Sequence, residues 1–140
     1  MLIFDTNVVS ELMKPKPEPR VSRWVSLQDK EKCYITTVTE AELRFGVENL
    51  PKGERQEKLK TIMSNWLEYF LPKRILVFDS DATKFYAKIR ASCLSNGQGI
   101  GEVDCQIAAI SQFREATLIT RNTRDFTGTG TNLFNPWIED

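Results

Sequence analysis

Five side chains of types that can serve hydrolysis stand far apart in the chain: Asp5, Glu42, Asp104, Asn122 and Asp125. Each falls where an apolar or β-branched run gives way to polar residues, or in the first turns of a helical pattern. No histidine occurs in the 140 residues, which removes Ser-His-Asp and Cys-His catalysis, histidine bases and most zinc chemistry. Cys33, Cys93 and Cys105 are odd in number and widely spaced, so neither a disulfide framework nor a C-x-x-C metal site is indicated. Carboxylates are therefore the obvious candidates for chemistry.

Each acid has a structural reading beside the functional one. Asp5 closes the apolar run Leu2 to Phe4, and with Thr6 and Asn7 it is suited to cap a following helix. Glu42 completes Thr39-Glu40-Ala41-Glu42, the T-x-x-E pattern of a capping box, and would also project over the same edge as Asp5. Asp104 opens a helix in which Val103, Ile107, Ile110 and Phe113 form an apolar stripe, with Ala108 and Ser111 on its own side. A carboxylate bordering the core in this way must be paired, hydrogen-bonded or bound to a cation. Glu102 points elsewhere and is expected in solvent. In TRNTRDF, Asn122 or Thr123 can cap a short turn, and Asp125 can pair with Arg121 or Arg124. Gathered at one edge, such carboxylates repel one another unless a cation neutralises them. Oxygen-only ligands select Mg²⁺, with Mn²⁺ as the alternative.

The elements that would gather them can be read from periodicity. Strands are predicted at Leu2 to Phe4, Tyr34 to Thr37, Ile75 to Phe78 and Thr117 to Thr120, with a fifth near Asn132 to Phe134. Leu59, Ile62, Met63, Trp66, Leu67 and Phe70 mark a helix from Glu57 to Phe70, and Ala82, Phe85, Ile89 and Cys93 mark another. Shorter helices are predicted at Asn7 to Met13, Val21 to Leu27 and Thr39 to Asn49, the first two separated by a KPKPEP turn. Alternating strands and helices make this an α/β chain with a mostly parallel sheet of four to five strands, covered on both faces. Ligands in such sheets bind beyond the carboxyl ends of the strands, where strand order reverses, and Asp5 and Asn122 both follow predicted strands. SNGQGIG, before the Asp104 helix, reads as a flexible connector, with phosphate binding by its amides as the weaker alternative.

Length and composition fit one folded domain over 1–140: 41% hydrophobic and 27% charged residues, without low-complexity tracts. Nineteen basic residues balance nineteen acidic ones, so binding of nucleic acid would have to use local patches. No apolar stretch approaches the roughly 20 residues needed to span a bilayer, and no basic leader precedes a signal-like core. A cytoplasmic protein with no membrane association is expected.

Four stretches taken in order, LIFDTNVVSEL, ITTVTEAELRFGVENL, EVDCQIAAIS and LITRNTRDFTGTGTNLFNPW, resemble the PIN-domain ribonucleases, specifically the VapC-type toxins of toxin-antitoxin pairs. The resemblance spans nearly the whole chain. It implies a three-layer α/β/α domain, Mg²⁺-dependent endoribonuclease activity, a homodimer and neutralisation by a cognate antitoxin. It also implies that Asp5 and Asp104 hold the metal, with Glu42 as the second acidic position. Asn122 stands where many relatives have aspartate, and Asp125 follows three residues later, so both remain candidates to complete the site. Thr6, Arg121 and Arg124 are candidates to position the RNA. By the same analogy an antitoxin segment would lie in an apolar groove between Val8 to Met13 and the helix from Thr39. Two alternatives are a haloacid-dehalogenase-like phosphatase using Asp5, although Asp5-Thr6-Asn7 lacks that family's second aspartate, and a non-catalytic PIN-like module that binds RNA or a partner.

Overall fold

The structure is a computed structural model and describes residues 1–139. The run Leu2–Phe4 forms β1 at the centre of a five-stranded sheet. Its partners are β2 (Cys33–Thr36), β3 (Ile75–Leu76), β4 (Thr117–Ile119) and β5 (Asn132–Phe134), in the order β3-β2-β1-β4-β5. Every adjacent pair is parallel, with Ile3 opposite Tyr34 on one side and Leu118 on the other. The sheet is thus wholly parallel, beyond the mostly parallel arrangement expected.

Alternation along β1 explains why a short apolar run suits a central strand, because successive side chains of a sheet covered on both sides enter opposite cores. Phe4 joins Cys33, Ile35 and Ile119 beneath α1 (Thr6–Leu12), α2 (Pro19–Ser26), α3 (Thr37–Glu48) and α4 (Glu54–Phe70). Ile3 joins Leu118 and Leu76 against α5 (Ser80–Ser95) and α6 (Glu102–Phe113). The result is three layers. All six apolar residues of the predicted α4 stripe pack on the first core.

Two sequence expectations are corrected here. The capping box at Thr39 does not form. Strand β2 hands directly to α3, and the hydroxyl of Thr36, on extended backbone, caps the helix by accepting from the Thr39 amide at 3.1 Å. Val103, placed on the apolar stripe of α6, is instead 38% exposed, because the buried face of that helix is centred on Cys105, Ile107 to Ile110 and Ser111.

The SNGQGIG connector is docked rather than free. The Gln98 amide donates to Cys93 O at 2.8 Å, and its side chain lies against Gly128. Gly128 has φ +84°, and a Cβ there would fall 2.0 Å from Gln98 Oε1. Among the described residues no helix is long and apolar enough to cross a membrane.

Candidate active site

Strand order reverses between β1 and β4, and there the chain leaves each strand into a polar segment. Asp5 follows β1. Its amide still donates to Ile119 O (2.9 Å), so the residue is tied into the sheet, while its side chain caps α1 by accepting from the Thr6 amide at 2.8 Å through Oδ1. Oδ2 accepts from the Thr120 hydroxyl (2.8 Å) and the Asn7 side-chain amide (3.1 Å). Capping and site membership therefore coincide. Asp5 is only 5% exposed, and burial, with a smaller push from the Glu42 charge, holds its carboxyl above the usual range despite these hydrogen bonds.

Glu42 lies on the first turns of α3, one helix away. Its Oε1 accepts from the Thr6 hydroxyl at 2.5 Å, and that hydroxyl also lies 3.1 Å from the Thr39 hydroxyl. Thr6 thus bridges the starts of two helices and fixes the carboxylate. Asp104 enters from the first turn of α6 across the sheet edge. Its burial, then the charges of Asp5, Asp125 and Glu42, push its carboxyl up to about 6. Asp5, Glu42, Asp104 and Asn122 line one open hollow of about 410 Å³, together with Thr6, Asn7, Ser10, Glu11, Lys14, Arg121 and Trp137.

The last cluster is arranged differently from expectation. Asn122 stands at the start of a short 3-10 turn, Thr123–Phe126, but makes no side-chain capping bond. The turn is closed by its carbonyl, which accepts from the Asp125 amide at 3.0 Å. Asp125 and Arg124 do not line the hollow. Among the described residues the anticipated pairing of Asp125 with Arg121 or Arg124 is absent, and Asp125 reaches the site only through its charge on Asp104.

Residue typing alone missed the supports. Asn7 bonds Asp5 and Thr120 and accepts from the Arg121 amide (3.1 Å), so one side chain joins the two strand ends. Glu11, buried on α1, accepts from Lys14 Nζ (3.0 Å) and the Glu18 amide (3.1 Å), fixing the KPKPEP turn. Burial pushes its carboxyl up, but the Lys14 and Glu18 bonds and the charges of Lys14 and Arg121 outweigh that and hold it below its ordinary value. The signals available were the D-T-N triplet for Asn7 and the threonine opening TRNTRDF for Thr120.

The donor set suits a hard divalent cation. It consists of carboxylate oxygens without histidine or thiol, and the anions at the Asp104 carboxyl are mutually unfavourable until neutralised. Among the described residues no three acids, histidines or cysteines form a ready-made cage. Mg²⁺ keeps several waters and takes one or two carboxylates, so a pair of acids satisfies its needs.

Comparison with known proteins agrees with this architecture. The PIN domain family model matches residues 2–130. The chain is 40% identical to VapC ribonuclease Y4jK of Sinorhizobium fredii, over 98% of each sequence. It is 35% identical to Toxin FitB of Neisseria gonorrhoeae, over 98% of this chain and 99% of that one. A solved structure of FitAB bound to an IR36 DNA fragment superposes with a TM-score of 0.93 at 34% identity, covering 100% of this chain and 98% of the other. The strand order, the acids at the switch point and these matches together establish that the chain belongs to the PIN-domain family, among the VapC and FitB toxins.

Proposed function

We propose that this chain is the toxin of a toxin-antitoxin pair, a single-domain endoribonuclease of the cytoplasm that hydrolyses RNA phosphodiester bonds with Mg²⁺, or Mn²⁺ in its place. The observation that carries the reading is the convergence of Asp5, Glu42 and Asp104 from three separate elements into one hollow. In this reading Asp5 and Asp104 hold the cation, which when bound activates water and neutralises charge developing on the phosphate. Glu42, fixed by the Thr6 hydroxyl, accepts the proton of the attacking water. The Asn122 side chain, open to the hollow, orients water or phosphate by hydrogen bonds. Asp125 tunes Asp104 through its charge, and Arg124 acts at most at the periphery.

A cognate antitoxin is the proposed inhibitor. An apolar groove of about 650 Å³ runs between α1, α3 and α4, lined by Met13, Leu43, Val47, Leu59 and Ile62, and it shares Ser10, Lys14 and Glu42 with the acidic hollow. A peptide seated there would reach the acids, the arrangement expected for helix-in-groove recognition. Homodimerisation is part of the same reading. Phe45 (67% exposed) and Val103 border an apolar patch on α3 and α6.

The test is incubation of purified protein with total RNA in EDTA and in Mg²⁺, with mapping of new ends. Mg²⁺-dependent cleavage by the wild type, lost in Asp5→Asn with the fold retained, is expected. Full cleavage by Asp5→Asn and Asp104→Asn would remove the proposed site. Hydrolysis of an aryl phosphate in place of RNA would favour the phosphatase, and absence of Mg²⁺ or Mn²⁺ binding would favour a non-catalytic module.

A further inference from the structure

We infer that Arg121, stacked on Trp137, receives the RNA phosphate beside the scissile one, and that Trp137 and Asn135 are the positioning residues that hold it there. The assignment rests on the proposed nuclease reading and goes further by naming how a polyanion is held at an acidic site. Carboxylates repel RNA, so the hollow needs a cation at its rim. Lys14 and Arg121 are the two cations that line it. Lys14 is paired with Glu11 at 3.0 Å. The guanidinium of Arg121, on an exposed residue, donates no hydrogen bond and forms no ion pair among the described residues. Its planar fork of donors matches a phosphate bidentately.

The guanidinium lies over the Trp137 ring with its carbon 5.4 Å from the centroid, a cation–π contact that favours this one orientation. Trp137 in turn packs on the core beneath α1 to α4. One buried side chain fixes both partners of this stack. Asn135, 6% exposed, donates through Nδ2 to Arg121 O (3.3 Å) and accepts through Oδ1 from the Trp137 amide (2.9 Å). The Asn135 amide is anchored to Glu139 Oε2 at 2.7 Å. A charged group is thus preorganised against the acids by a segment that supplies none of them. Preorganisation removes the entropy loss otherwise incurred on binding. With Arg121 over its ring, Trp137 acts through the arginine rather than as a bare stacking platform for a base.

The test uses full-length protein, a short fluorescein-labelled single-stranded RNA of mixed sequence, anisotropy in EDTA to measure binding without turnover, and cleavage in Mg²⁺. Arg121→Ala is expected to weaken binding about tenfold, the loss of one charge-assisted contact, and to reduce the salt slope of binding by about 0.7. Most of the effect should fall on KM rather than kcat. Trp137→Leu should reproduce the weakening, Trp137→Phe should restore most of it, and the Arg121→Ala/Trp137→Leu double variant should bind no worse than Arg121→Ala alone. Additive losses in the double variant would show that Trp137 meets RNA directly and would overturn its positioning role. Unchanged binding and salt slope in Arg121→Ala, with wild-type cleavage intact, would overturn the assignment and leave the nuclease reading standing. Wild-type protein that neither binds nor cleaves the RNA would overturn both.

Discussion

Replacing Asp104 by Asn should make the metal-free protein more stable. Its carboxyl titrates at about 6 in the fold against 3.8 as an unperturbed side chain, raised first by burial and then by Asp5, Asp125 and Glu42. A rise of that size corresponds to about 3 kcal/mol against the charged form, at 1.36 kcal/mol per pKa unit. Solvent reaches this half-buried group, and screening reduces the figure to about 1–2 kcal/mol. For a chain of this length that is about 3–6 °C in Tm. The sign with pH follows from which state binds the proton more tightly. Here the folded state does, so the destabilisation is complete above about 6 and disappears as pH falls toward 3.8. Thermal unfolding of wild type and Asp104→Asn in EDTA, from neutral pH downward, measures the gap directly. The variant should melt higher at neutral pH, the gap should close on acidification, and Mg²⁺ should raise the wild type more than the variant. A variant that melts at or below the wild type at neutral pH, with a gap indifferent to pH, would refute the electrostatic account of the site.

Two further substitutions test the framework around it. Gly128→Ala should lower stability by about 1–2 kcal/mol for the left-handed backbone, with the flexible end of Gln98 turning aside at little further cost. Adding Gln98→Ala should therefore recover little of the loss, as read by Tm. Arg74→Met should cost about 2–4 kcal/mol in denaturant unfolding, because the buried guanidinium donates to the carbonyls of Lys30 and Cys33 at 2.8 Å and to that of Tyr69, all of which would lose a partner. RNA cleavage by that variant should persist below its melting temperature.

Much of the scaffold was legible because burial imposes periodicity. The α4 stripe and the unbroken apolar run of β1 carry their environments in their spacing. Glu42 was harder, since its T-x-x-E spacing pointed to Thr39 as the cap and the fold uses Thr36 instead. The choice between them depends on where extended backbone ends, which β2 pairing with β1 and β3 decides. Val103 failed for a related reason, because an apolar residue at the edge of a helical stripe is buried only if a neighbour covers it. Asp5, Glu42 and Asp104, which the fold brings to one hollow, were picked out by type and position, whereas Asn7, Asn135 and Trp137 were not. Their work is done by bonds between strand ends brought together only by folding. Side-chain pairing on a short turn, as with Asp125 and the two arginines, is set by rotamers that local sequence leaves undetermined.

The hydrogen bond from the Asp5 amide to Ile119, with that from the Thr120 amide to Phe134 at 3.0 Å, extends the sheet ladder one residue past the strands into the acidic cluster. Those two amides are expected to share the protection of the core, with hydrogen exchange slowed to the rate at which the sheet opens. The Asp5 carboxylate, carried on a residue tied into that ladder, is therefore expected to keep its place until the sheet itself opens.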